Sequence, residues 1–241
     1  MGRFILIYGK SGSGKSRSLK NFAEDEIFLI QTIKKDLPFK KKFKYTMITD
    51  KMETIKTGLR KMPTKIAVID DAGYIMTNEF MREHSSVKAK GGSASFDLFN
   101  DIADHFWSIL NETSKLPDDV NVYILMHEET SDYGDTKLRT IGKLLDQKVV
   151  IEGMTTVAIR CVTEAGRHIF KTVTDGADIT KAPEEMFDSD EIDNDLKLVD
   201  TKIREYYGMK SSYPLETKEE TKDSDTKATE TADDSKKENE E

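Results

Sequence analysis

A glycine- and serine-rich segment near the start of the chain has the residue types and spacing of a phosphate-binding loop. Gly9–Ser16 reads Gly-Lys-Ser-Gly-Ser-Gly-Lys-Ser and matches G-x-x-x-x-G-K-[ST] at every defined position. In such a P-loop, glycines let backbone N–H groups converge on an anion, and the lysine reaches the β- and γ-phosphates. The sequence therefore predicts that ATP contacts nine consecutive residues: Gly9, Lys10, Ser11, Gly12, Ser13, Gly14, Lys15, Ser16 and Arg17.

Two acidic residues follow an apolar run that is typical of a buried strand. Ile66–Ile69 reads Ile-Ala-Val-Ile and leads directly into Asp70 and Asp71. We expect Asp70 to hold Mg²⁺ together with the Ser16 hydroxyl, and Lys15 to neutralise phosphate charge. Asp71 is the candidate to orient an attacking water. The alternative for both aspartates is that they only cap the strand end.

A second apolar run, Val120–Met126, precedes His127 and Glu128. If this strand lies beside the P-loop strand, His127 is expected next to the γ-phosphate. Glu128, or its neighbour Glu129, is an alternative to Asp71 as the general base, while a plain strand-end histidine is the alternative for His127. The four histidines and single cysteine show no metal-ligand spacing.

The elements that must position these residues alternate along the chain. We predict strands at 3–8, 27–30, 66–69 and 120–126, and helices at 16–23, 50–61 and 96–112, the last with Ser95 as its N-cap. This alternation predicts an α/β fold with a mostly parallel central sheet and helices on both faces. Further on, 155–162 and 168–173 predict a C-terminal β-hairpin, followed by a helix over 189–206.

Length and charge divide the chain into two parts. The 241 residues carry a formal net charge of −8, and Leu215–Glu241 holds 11 acidic residues against 5 lysines with no aromatic residue. Such a composition cannot bury enough surface to offset the entropy of ordering. We predict one ATPase domain at 1–210 and a disordered acidic tail at 211–241. No apolar run is long enough to cross a bilayer, and the expected location is the cytoplasm.

Three further segments are candidates for contact with partners. The loop expected at 84–93 is cationic, and the loop expected at 130–142 follows a strand on the nucleotide side. Loops of this kind line strand-binding channels in other proteins, although ordinary solvated loops are the alternative. Lys34–Lys44 holds six lysines that are suited to phosphate contact, but a charge run is more often a solvated surface.

Taken together, these motifs resemble the phage-encoded P-loop nucleotide-binding proteins with a RecA-like core. Within that group the chain is similar to the single-strand-annealing recombination ATPases of bacteriophages. The resemblance covers roughly residues 3–175 and rests on Ile7–Ser16, Leu37–Phe39, Ile69–Asp71, Met126–Glu129 and Thr140–Asp146.

The resemblance implies an ATPase that uses Mg²⁺, binds single-stranded DNA and works beside a single-strand-binding protein. It also implies a ring or filament of identical subunits, in which Lys137, Arg139 or Lys143 reaches a neighbour's γ-phosphate. RecA-type enzymes usually place a catalytic Glu after the second core strand, but this chain has Gln31–Lys34 there. Two alternatives stay open: a nucleotide kinase, disfavoured by lysine-rich and arginine-poor loops, and a non-catalytic ATP-binding scaffold that recruits replication proteins.

Overall fold

The computed structural model describes residues 1–90 and 94–210. The predicted acidic tail at 211–241 lies outside the described residues. Within them, nine strands form one mixed sheet, in the order β3-β2-β4-β5-β1-β7-β8-β9 with β6 paired to β5. The strands are β1 (Arg3–Gly9), β2 (Phe28–Gln31), β3 (Tyr45–Ile48), β4 (Ile66–Asp70), β5 (Asn121–Thr130), β6 (Thr136–Leu138), β7 (Ala158–Glu164), β8 (Arg167–Lys171) and β9 (Glu191–Asp193).

Six neighbouring strands, from β3 to β7, are parallel, so their carboxyl ends share one edge of the sheet. The P-loop strand β1 lies at the centre, between β5 and β7. Its six residues from Phe4 to Gly9 are buried, as is all of β4, because both sheet faces are covered. The strands β7, β8 and β9 are antiparallel and extend the sheet on one side.

Helices cover both faces of the sheet, as the sequence predicts. On one face, α1 (Met52–Lys61), α2 (Gly73–Lys90) and α3 (Ala94–Thr113) bury side chains such as Leu59 and Phe106 against Leu6. On the other face, α4 (Leu196–Tyr206) and a short 3₁₀ helix (Ser16–Asn21) bury Ile203 and Leu19 against Ile7. A π-helical turn at Leu144–Val149 and a 3₁₀ turn at Ile151–Met154 lead into β7.

The helix predicted at 16–23 is shorter than expected and has 3₁₀ geometry. Its turns include three-residue spacing, since the Phe22 N–H donates to the Leu19 carbonyl and the Ser18 N–H donates to the Lys15 carbonyl, both at 3.2 Å. This leaves only a short row of aligned peptide dipoles behind the P-loop. A short helix contributes a smaller dipole to an anion site than a long α-helix does.

Two predicted loops contain regular structure. The segment expected as a loop at 84–93 continues α2 as far as Lys90, while 91–93 lie outside the described residues. Ser95 lies inside α3, so the prediction that it caps this helix is wrong. The segment at 130–142 contains β6, which pairs with the end of β5 and lengthens that strand to Thr130. His127 and Glu128 are therefore within β5 rather than after it.

The C-terminal hairpin forms between β7 and β8 as predicted, but the last helix begins later than expected. Ile192 belongs to β9 and pairs with Phe170, so it is not part of the helix stripe. Asp195 then caps α4, since its carboxylate accepts from the backbone N–H groups of Lys197 and Leu198. Because the capping residue itself has an extended backbone, the helix begins after Asp195. Beyond the helix, Gly208 adopts φ +62, a left-handed conformation that suits glycine at a helix end.

Candidate active site

The P-loop joins β1 to the 3₁₀ helix at the carboxyl edge of the sheet. Gly14 adopts φ +107, and a Cβ built there would lie 2.9 Å from the His168 ring. At Gly9 a Cβ would approach the Cys161 carbonyl oxygen to 2.2 Å. Both positions therefore require glycine, because no side chain fits between the loop and the β7–β8 hairpin.

Lys15 lies in the mouth of its own loop. Its Nζ donates to the carbonyl oxygens of Gly9, at 2.8 Å, and Lys10, at 2.9 Å. Burial lowers the pKa of Lys15, and the nearby carboxylates of Asp71 and Asp70 oppose that shift. The ammonium is thus held by two carbonyl oxygens of its own loop.

The predicted magnesium ligands, Ser16 and Asp70, are in direct contact. The Ser16 hydroxyl donates to Asp70 Oδ1 at 2.8 Å and is 3.0 Å from Oδ2. Burial, and then the charge of Asp71, raise the pKa of Asp70, so a cation at this position would favour its ionised form. One hydroxyl and one carboxylate fit Mg²⁺, which takes few protein oxygens and completes its shell with phosphates and water. Over residues 1–90 and 94–210, no cluster of three or more His, Cys, Asp or Glu is suited to a metal.

Asp71 is held in an unusual conformation by two residues that sequence reasoning did not assign to the site. Its φ is +56, a region that non-glycine residues rarely adopt. The Thr32 hydroxyl donates to the Asp71 carbonyl at 2.8 Å, and Lys35 forms an ion pair with the Asp71 carboxylate. Burial lowers the pKa of Lys35, but the bond to Asp71 and the charge of Asp70 outweigh it and raise that pKa. Asp71 therefore carries its own counterion.

His127 lies beside the P-loop, because β5 pairs with β1 in parallel and His127 is opposite Gly9. The sequence analysis required the strand that carries His127 to lie beside the P-loop strand, and it does. Its ring packs edge-on against Tyr74, with centroids 6.1 Å apart, and its carbonyl accepts from the Arg139 N–H at 2.9 Å. Burial, and then the charge of Lys15, lower the pKa of His127, so it is neutral at pH 7. A cleft of about 500 Å³ separates His127 and Arg139 from Ser11 of the P-loop.

Glu128 belongs to a partly buried ion-pair network beside a pocket of about 560 Å³ that Gly12 and Ser13 also line. Its two carboxylate oxygens accept from Arg160 Nε at 3.0 Å and Nη2 at 3.1 Å. Arg160 also donates to Asp178 at 3.2 Å and to the Thr136 hydroxyl at 3.2 Å. The hydrogen bonds that Arg160 donates to Glu128 raise the pKa of Arg160. Glu128 thus lies near the P-loop, but both of its carboxylate oxygens are engaged by Arg160. Its role as general base stays a prediction.

The three cations expected to reach a neighbouring subunit have different surroundings. Lys137 is 3.3 Å from Glu129, and both side chains are about two-fifths exposed. Arg139 lines the cleft of its own chain, and Lys143 is exposed. Arg17 turns away from the loop to donate to the Asn194 side chain at 3.3 Å. The action of Lys137, Arg139 or Lys143 across a subunit interface stays a prediction.

The β7–β8 hairpin supports the P-loop from one side, and no sequence spacing indicated this. The His168 ring lies 2.8 Å from the Ser13 carbonyl, and the Cys161 thiol donates to the same oxygen at 3.1 Å. Burial raises the pKa of Cys161 to about 11, so this thiol stays protonated. The Ser13 hydroxyl is buried and has no hydrogen-bond partner within the described residues. A phosphate oxygen in the loop would satisfy it.

Comparison with known proteins assigns the family. A family model described as an AAA domain matches residues 1–183. The chain belongs to this family of AAA domains. The central P-loop strand and the mostly parallel sheet, together with the family match, confirm the P-loop NTPase fold that the sequence predicts. Membership of the family also supports ATP binding.

Among solved structures, the AAA domain is similar to the ATPase DotB of Legionella pneumophila, with 9% sequence identity and a TM-score of 0.34. The similarity covers 87% of this chain and 58% of DotB, so the chain spans less than two thirds of that protein's length. No curated protein matches the sequence. Within the described ranges, no helix combines the length and apolar character needed to cross a membrane.

Proposed function

We propose that this AAA domain hydrolyses ATP with Mg²⁺ and uses that cycle to act on single-stranded DNA in phage recombination or replication. The observation that carries the ATPase part is the contact between Ser16 and Asp70, at 2.8 Å, beside the buried Lys15. A hydroxyl and a carboxylate for a cation, next to an ammonium inside an anion-binding loop, form a site for a triphosphate and its metal.

In the proposed mechanism, the metal bound at this site would neutralise charge on the β- and γ-phosphates. Lys15 would exchange the carbonyls of its own loop for the γ-phosphate, and Ser16 and Asp70 would hold the cation through their oxygens. Asp71 accepts a hydrogen bond from the attacking water and orients it in line with the γ-phosphorus. His127, neutral at pH 7, lies on the open side, where its ring N–H donates to an oxygen of the γ-phosphate.

The DNA part of the proposal is supported by the sequence resemblance and by the surface near the nucleotide. The β5–β6 hairpin leaves the sheet next to His127, and Tyr133 at its tip is 95% exposed. Exposed aromatic rings near cationic side chains, here Lys137 and Arg139, suit base stacking and phosphate contact. A ring or filament of subunits and a single-strand-binding protein partner are parts of the same proposal.

The nucleotide kinase is a weaker alternative. A kinase needs an acceptor pocket beside the γ-phosphate and cationic side chains to hold the acceptor. The 500 Å³ cleft next to His127 has the position for an acceptor, but Arg139 is the single arginine among its lining residues. A scaffold that binds ATP without hydrolysis is the second alternative, and it predicts the same ATP affinity with no phosphate release.

Phosphate release from ATP, with and without Mg²⁺, tests the ATPase part. We expect Lys15→Ala to weaken ATP binding about 10- to 100-fold, the effect of one lost charged hydrogen bond, and to abolish release. Asp70→Asn is expected to keep ATP binding and lose the Mg²⁺-dependent rate. Lys61→Ala, an exposed lysine at the end of α1, is the control and is expected to behave as the wild type. ATP binding without release in the wild type would favour the scaffold.

Anisotropy of a labelled single strand, measured with and without ATP and Mg²⁺, tests the DNA part. We expect binding to strengthen with nucleotide and to lose this dependence in Lys15→Ala. No binding at protein concentrations well above micromolar would refute action on DNA and leave the ATPase assignment intact. Phosphate transfer from ATP to nucleoside monophosphates would instead identify a kinase.

A further inference from the structure

A lysine-rich groove lies beside the active site, on the sheet edge formed by β3. The segment 34–44, between β2 and β3, arches over Leu29 of β2 and the exposed Thr46 and Ile48 of β3. The space between them has a volume of about 1110 Å³ and is open to solvent. We call it the lysine groove. The residues that line it are not those of the proposed ATPase cleft beside His127.

The lysine groove has an excess of unpaired positive charge. Five lysines line it against two acids, Glu24 and Asp36. Lys34, Lys40 and Lys42 are exposed and form no ion pair with any residue that the structure describes. Lys41 fixes the segment instead, since its Nζ donates to the carbonyls of Lys20, at 2.6 Å, and Phe22, at 2.5 Å. The free ammonium groups are thus carried by an anchored backbone.

Aromatic rings lie among these charges. Phe43 is buried, and Phe39 packs edge-on against it with ring centroids 6.3 Å apart. Phe39 is only half-buried, so one part of its ring faces the groove. Single-stranded nucleic acids present both phosphates and open base faces, whereas a duplex hides its base faces. Cationic side chains next to a partly exposed ring match the single-stranded form.

We propose that the lysine groove binds the phosphodiester backbone of single-stranded DNA. The inference rests on the proposed function, which supplies the DNA substrate, and it names the surface that holds the strand. Lys34, Lys40 and Lys42 contact phosphates, and Phe39 stacks on a base.

Lys35 connects this groove to the ATP site. It lines the groove, yet its Nζ is paired with the Asp71 carboxylate. The Gln31 side chain donates to the Lys35 carbonyl at 3.0 Å and holds the backbone at the end of β2. A phosphate of the strand competes with Asp71 for this ammonium. Binding of the strand therefore frees Asp71 to orient water, and hydrolysis is faster with DNA bound.

Charge reversal in the groove tests the binding part. We expect Lys40→Glu/Lys42→Glu to weaken binding of a labelled single strand at least tenfold. The slope of log affinity against log salt is expected to shrink by about 1.4, the value for two lost phosphate contacts on a single strand. Lys61→Glu/Lys148→Glu, which changes net charge equally at exposed sites outside the groove, is expected to stay within twofold of wild type. Circular dichroism melting confirms that each variant is folded.

The outcomes separate the inference from the proposed function. If the wild type binds DNA and the groove variant binds as well as the control, the groove assignment is wrong while the function stands. If the wild type binds no single-stranded DNA, the DNA part of the proposed function is refuted, and the groove assignment is refuted with it. Competition by a duplex or by polyglutamate as effective as that of unlabelled single strand would overturn the assignment to single-stranded DNA, and polyglutamate would point to the acidic 215–241 segment.

The coupling has its own test. We expect single-stranded DNA to raise the ATPase rate of the wild type several-fold, and Lys35→Gln to be insensitive to DNA while it still binds the strand. DNA stimulation of Lys35→Gln equal to that of the wild type would contradict the role of Lys35.

Discussion

Replacing Glu128 by Gln separates a catalytic role from a structural one. Both oxygens of Glu128 accept from Arg160, and the Glu128 side chain is 2% exposed. Removing the charge leaves a partly buried guanidinium with Asp178 as its remaining anion, so we expect a loss of about 3 kcal/mol in unfolding free energy, the lower end for a broken buried pair. If Glu128 only positions Arg160, the turnover number of the folded variant is expected to remain within about threefold of wild type.

The assay combines urea unfolding with phosphate release at a temperature where the variant is folded. Asp178→Asn is the matched control, since it removes the other carboxylate that Arg160 contacts, and Asp178 does not line the pocket that Glu128 shares with Gly12 and Ser13. Both variants are expected to lose stability and to keep turnover. A fall in turnover of 100-fold or more for Glu128→Gln alone, with little loss of stability, would refute this reasoning and identify Glu128 as the general base.

Three further predictions concern packing and ionisation. Gly14→Ala is expected to weaken ATP binding at least tenfold by titration, because the new Cβ meets His168 at 2.9 Å and φ is +107. Asp200→Ala is expected to cost about 3–5 kcal/mol in urea unfolding, since buried Asn121, Tyr123 and Arg204 all donate to this carboxylate. The bond from Arg60 lowers the pKa of Glu112 to about 2, so the stability that Glu112 adds is present above pH 4.5 and is lost as the pH falls toward 2. The difference in unfolding free energy between wild type and Glu112→Gln should therefore shrink over that range, and a constant difference would contradict the ion pair.

The sequence predicted best those features that depend on short stretches of chain. The P-loop is a local motif, and the apolar runs of β1, β4 and β5 alternate with helical patterns, so the parallel sheet could be predicted. Errors arose where tertiary contacts extend or replace local structure. Pairing with β6 lengthens β5 past His127, and pairing with β8 makes Ile192 part of a strand. Neither pairing has a local signal that outweighs the helical or loop pattern.

In the candidate site, Lys15, Ser16, Asp70 and Asp71 follow from the sequence alone, because a motif and a strand end fix them relative to their own backbone. The sequence also determined that a phosphate-binding loop precedes two carboxylates on a parallel sheet. Only the tertiary structure decided which partners these groups have. Lys35 contacts Asp71, which lies 36 positions later in the chain, and Arg160 contacts Glu128, which lies 32 positions earlier. Such pairs depend on strand order and register, which bring distant segments within hydrogen-bond distance, and no spacing in the sequence records them.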